Sequence, residues 1–146
     1  MTLEDWIKRY NERTPDVFRH DSHYELLFDE DKGFVEVKEI SLRNDAGNME
    51  QMLIVRALCG DGRYWKKTIE RIGRNLGCTV AGTWCIRKEI LAYIRLFDFK
   101  VLYTEVLRDG TRRYHCENKS DGKWGNVSPA FRFGTGEQAY YITWQI

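Results

Sequence analysis

Proline is scarce in this 146-residue chain, with only 2, so most of it can enter regular elements. No apolar run reaches the roughly 20 residues of a membrane-spanning helix. No pair among Cys59, Cys78, Cys85 and Cys116 has CxxC spacing. That argues against a redox motif or a zinc ribbon and for free thiols in a reducing compartment. His20, His23, His115 and Cys116 fit no zinc-ligand spacing, so no metal is expected. The N-terminus is acidic and amphipathic rather than basic and then apolar, so no signal peptide is expected. Repeats and low-complexity stretches are absent too.

What is present fits one folded unit. Hydrophobic residues make up 42% and charged residues 31%, a balance that can bury a core. The 5 Trp, 8 Tyr and 7 Phe are read first as core and strand packing. A net charge of +1 hides an uneven distribution: residues 1–55 carry −6, residues 56–95 carry +6 and residues 96–146 carry +1. The basic middle segment hints at an anionic ligand.

The pattern predicts a short helix over 2–13, capped by Thr2 with Asp5 three residues on. Leu3, Trp6, Ile7 and Tyr10 share its apolar face. Strands at 23–30 and 33–43 form a hairpin through Asp31, Lys32 and Gly33, and 44–48 is a loop. The most apolar strand, 51–58, runs into Cys59, Gly60, Asp61 and Gly62. A helix follows with Trp65, Ile69, Ile72 and Leu76 on one face, and Gly77 ends it. A strand at 79–85, a helix at 87–97 and a strand at 99–108 come next. Asp109 and Gly110 turn the chain into a strand at 111–117. Residues 118–137 read as a long polar loop, and Tyr140 to Trp144 as a final strand. The expected class is α/β (α+β), one domain over 1–146: the N-terminal helix 2–13, a core at 23–108, and C-terminal strands and loop at 109–146.

One segment carries chemistry. A strand that ends in glycines and opens a helix presents unpaired backbone N–H groups, and those can hold a phosphate. Here they belong to residues from Gly60 to Trp65, with Arg63, Lys66 and Lys67 adding positive charge. Asp61 argues against an anion unless its side chain caps the helix.

The order of elements, Arg56 to Trp65, Asn75 to Cys78 and Arg95 to Val101 together resemble the GCN5-related N-acetyltransferase (GNAT) family, particularly small phage-encoded members. The resemblance covers about residues 23–108. It implies a mixed, mostly antiparallel central sheet with helices packed on its faces. It also implies acetyl-CoA as cofactor, its pyrophosphate held by Arg56, Gly60, Asp61, Gly62, Arg63, Tyr64 and Trp65. The substrate would be a small-molecule or protein amine.

Departures from the family pattern fall on the reaction. The arginine of the glycine loop would align with Ala57, and Arg56 is one residue early. The general-acid tyrosine aligns with Ile94, and Tyr93 is one place off. The glycine before Phe99 is Asp98. Tyr93 is the candidate acid, and Glu39, with Glu36 or Glu50 as alternatives, the candidate base. The other expectation is a catalytically degenerate fold of the same kind, a phage-type accessory, structural or host-interaction protein that meets a protein partner through its aromatic C-terminal part. Nucleic-acid binding through Arg63, Lys66, Lys67, Arg71, Arg74, Arg87 and Lys88 is disfavoured against a solvated helix face. No membrane association is expected. The expected location is the cytoplasm, that of a host if the chain is phage-encoded.

Overall fold

A computed structural model describes residues 1–86 and 90–146. The fold is mixed α+β, with strands that are mostly antiparallel. Contacts gather the chain into two compact units, 1–81 with Ile146, and 82–145. Among the described residues no helix is long and apolar enough to cross a membrane.

The first unit begins with α1 (Leu3–Arg13). Thr2 and Asp5 form the expected capping box, each side chain bonded to the other's backbone N–H. Strands β1 (Glu25–Asp29), β2 (Gly33–Arg43) and β3 (Met49–Gly60) follow as an antiparallel meander. Helix α2 (Gly62–Asn75) comes next. Gly77 lies just past its end at φ +82°, the left-handed position where glycine avoids a Cβ clash.

β3 holds the key irregularity. Glu36 pairs with Ala57, and Val37 pairs with Val55, so Arg56 is an extra residue with no partner across the ladder. This bulge reverses the in–out alternation of the strand. Cys59 shares a face with Phe34, its direct partner, and Leu53 shares a face with Glu39. Phe34 and Glu39 are five residues apart on an unbroken strand, so they point to opposite faces. Cys59 and Leu53 therefore do too, although both are buried. Each face acquires its own helix. Tyr10 of α1 and Phe18 pack on Phe34, with ring centroids 5.8 and 4.8 Å away. On the other face a Cβ at Gly73 of α2 would lie 3.8 Å from Leu53, so the helix backbone approaches closely there.

The second unit takes most of β4 (Val80–Ile86), then α3 (Ile90–Leu96), β5 (Phe99–Val106), β6 (Arg112–Asn118), β7 (Trp124–Arg132) and β8 (Gln138–Gln145). Its strand order is β4-β8-β7-β6-β5. Phe97, Phe99 and Trp144 form the aromatic centre, with Phe97 4.5 Å from Trp144 and 5.2 Å from Phe99. Gly125 on β7 leaves room for the Phe99 ring, which a Cβ there would strike at 2.2 Å.

One expectation is corrected here. Residues 118–137 are not a long loop. They hold β7, and only 119–123 and 133–137 turn the chain. Gly, Ser, Asn and Pro dominate that stretch, yet Gly125 and Val127 are buried on alternate positions, as a strand requires. The predicted helix 87–97 is observed as α3 from Ile90; Arg87 and Lys88 lie outside the described residues.

Candidate functional site

The glycine turn is built around a single carbonyl. The Lys32 oxygen, in the β1–β2 turn, accepts from the Asp61 backbone N–H at 2.8 Å and from Trp65 Nε1 at 2.8 Å. Gly60 and Gly33 pair directly across β3 and β2 at φ +114° and +104°. A Cβ on Gly60 would lie 2.0 Å from the Lys32 oxygen, and one on Gly33 would lie 1.9 Å from the Cys59 oxygen. The close approach that demands glycine is thus to the neighbouring strand. Trp65 is buried, a wall of the core rather than of a ligand cleft. Tyr64 packs edge-on against it at 4.9 Å.

Asp61 is the N-cap of α2. Its carboxylate accepts from the Tyr64 N–H at 3.1 Å and lies 3.5 Å from Lys32 Nζ. The Tyr64 hydrogen bond first, and the Lys32 charge after it, hold the Asp61 carboxyl below its ordinary range. A negative group therefore already occupies the start of the helix, where a pyrophosphate would bind. This arrangement does not fit the pyrophosphate of CoA. Because the folded value is depressed, the cap's ionic contribution is present above the unfolded carboxyl range and lost as pH falls through the folded value. Asp61→Asn, which keeps a capping oxygen without the charge, is expected to melt below the parent at pH 7. The two melting temperatures should converge as pH falls below the ordinary aspartate range; a gap that is independent of pH would refute the assignment.

Arg56 is turned to another task. From its bulge it places Nε 2.6 Å and Nη2 2.5 Å from Glu36 Oε1, and Nη2 also donates to the Arg19 carbonyl. Its guanidinium lies 5.7 Å from the Phe18 ring and 5.5 Å from the Tyr24 ring. Glu36 is fully buried. Its Oε2 is 2.6 Å from His20 Nδ1 and accepts from the Asp21 N–H at 3.0 Å. Both carboxylate oxygens are engaged, so Glu36 is not a free base. The network ties the segment before β1 to the sheet, and half-exposed His20 is where it meets solvent. The buried carboxylate orients the His20 ring.

Glu39 is exposed on the α2 face of β2, across from Leu53. Glu50 accepts from Thr79 Oγ1 at 2.8 Å. Tyr93, in α3 of the second unit, stacks on Phe97 at 6.2 Å, continuing the aromatic column to Phe99. Asp98 adopts φ +52° just after α3, a left-handed conformation that a glycine would take more easily. It is held there by Lys119 N–H on its carbonyl at 2.9 Å and Ser120 Oγ on its carboxylate at 3.2 Å. On α2, Lys66 and Arg74 reach Glu70 at 3.0 and 3.9 Å, which blunts the basic stripe. Among the described residues no group of three or more metal-ligating side chains gathers.

No protein-family model matches this chain, and no curated protein matches it in sequence.

Sequence reasoning passed over the Glu36–Arg56–His20 network. A signal was available: Arg56 is a charge inside the most apolar strand, and Glu36 lies on the same face of β2 as Phe34. Two such charges are tolerated in a core only when paired.

Proposed function

We propose that this chain is a non-catalytic protein of the acetyltransferase-like kind, an accessory, structural or host-interaction factor that acts through a protein partner. One observation carries the reading: the Asp61 carboxylate sits on the α2 N-terminus and takes the place of the anion. Two others support it. Arg56 is held by Glu36 rather than left for a phosphate, and Tyr93 lies in an aromatic stack. Four buried free thiols suit a reducing compartment such as the cytoplasm, that of a host if the chain is phage-encoded.

The test is a melting curve and a native mass spectrum with saturating acetyl-CoA. No shift and no bound cofactor are expected. A ligand that binds only the folded state at a hundred times its Kd stabilises by about 2.7 kcal/mol, a shift too large to miss. A clear rise in melting temperature, or a cofactor adduct, would overturn the reading. It would restore the second one, an acetyl-CoA-dependent N-acetyltransferase acting on an amine, which the element order from β1 through β5 favours.

A further inference from the structure

Strand β5 ends the order β4-β8-β7-β6-β5. Among the described residues no strand pairs with its other edge. Every residue after Phe99 is exposed, including Val101, Leu102, Tyr103 and Val106, the last three at 51%, 60% and 64%. An edge that leaves backbone N–H and C=O groups free beside apolar side chains is a template for another strand.

The occupant is indicated by the sequence of the strand itself. Val101 pairs with Cys116 and Tyr103 with His115, so Leu102 is the extra residue of a bulge. The bulge reverses alternation. Phe99, Val101, Thr104 and Val106 share one face, and Lys100, Tyr103 and Glu105 share the other. Without it Lys100 and Glu105, five apart, would point to opposite faces. Two copies of β5 laid antiparallel about a two-fold axis through the Leu102–Tyr103 step pair Phe99 with Val106, Lys100 with Glu105, Val101 with Thr104 and Leu102 with Tyr103. In an antiparallel pair, directly opposed side chains must lie on the same face. A two-fold axis normal to the sheet keeps each face on its own side. The Phe99–Val106, Lys100–Glu105 and Val101–Thr104 pairs meet that condition because of the bulge. The register brings two Lys–Glu pairs and the apolar residues together and opposes no like charges.

We propose that β5 is a self-complementary edge through which two copies of this chain form an isologous dimer with a continuous sheet. The proposal does not depend on whether the chain binds acetyl-CoA.

The test uses the full chain in sedimentation velocity and native mass spectrometry across a concentration series. The wild type is expected to form a concentration-dependent dimer. Lys100→Glu and Glu105→Lys, each reversing both symmetry-related pairs, are each expected to weaken it by about tenfold or more. Mixed together, the two variants are expected to form a heterodimer, because the mixture restores opposite charges at both positions. Glu105 also meets His115 at 3.2 Å and Arg113 at 3.4 Å within its own chain, and mixing cannot repair damage there. Leu102→Lys, at the exposed bulge, gives an independent loss of dimer without touching those contacts. A wild type that stays monomeric at every concentration overturns the proposal. A dimer that ignores all three substitutions, or a mixture that stays monomeric, does the same.

Discussion

Arg56→Ala is expected to destabilise this chain by about 3–5 kcal/mol, the typical cost of stranding one member of a buried ion pair. Glu36 is fully buried, and its carboxylate is met by Arg56, His20 and the Asp21 N–H. Removing the guanidinium leaves a carboxylate with a half-exposed imidazole and one amide. It also frees the Arg19 carbonyl and opens the space between Phe18 and Tyr24. Domains of this size are stable by about 5–15 kcal/mol, so the variant should unfold at a visibly lower urea concentration and express poorly at 37 °C. The double substitution Arg56→Met with Glu36→Leu removes both charges and should recover most of the loss. A remainder of about 1–2 kcal/mol should persist, because the Asp21 N–H loses its acceptor and the Arg19 carbonyl its donor. An Arg56→Ala variant within 1 kcal/mol of the parent would show that the carboxylate is not held as described. So would a double variant worse than either single one.

The same pair marks the limit of what the sequence discloses. Period and caps locate the elements well, because each is fixed by neighbours in the chain. Thr2 with Asp5 starts α1, Asp61 starts α2, Gly77 ends it, and Asp109 with Gly110 turns β5 into β6. The bulges at Arg56 and Leu102 are set by partners across the sheet, and nothing local announces them. In β3 the bulge leaves alternate residues from Leu53 to Cys59 buried, which reads as a single buried face. The strand in fact turns over midway and serves two helices. β7 escaped for a related reason. Its polar residues Asn126 and Ser128 alternate with the buried Gly125 and Val127, and Gly125 is there for the Phe99 ring, a contact made across the sheet. For the candidate site, the sequence located the glycine turn correctly but not the reason for it.

Gly60→Ala is expected to cost about 3 kcal/mol or more, and the reason bears on how any ligand experiment is read. At φ +114° a side chain is strained by about 1–3 kcal/mol whatever surrounds it. Here the new methyl would also lie 2.0 Å from the Lys32 oxygen and 2.9 Å from the Gly33 Cα, backbone atoms where the β1–β2 turn enters the paired strand. The Lys32 carbonyl must move, and with it go the hydrogen bonds from Asp61 and from Trp65 Nε1, each worth about 1 kcal/mol. Gly77→Ala supplies the comparison. Its φ is +82°, but a Cβ there meets nothing within 4 Å, so only the conformational cost of about 1–2 kcal/mol remains. Urea midpoints should therefore rank parent, Gly77→Ala and then Gly60→Ala, with the last well separated. If the two variants fall together, the Gly33–Gly60 crossing is looser than described and the turn has room for a ligand. If they separate as expected, losing a response to acetyl-CoA on substituting Gly60 would report a broken β2–β3 crossing rather than a lost cofactor contact. Asp61 is then the position at which binding and folding can be told apart, because its exposed carboxylate can be neutralised while the capping geometry is kept.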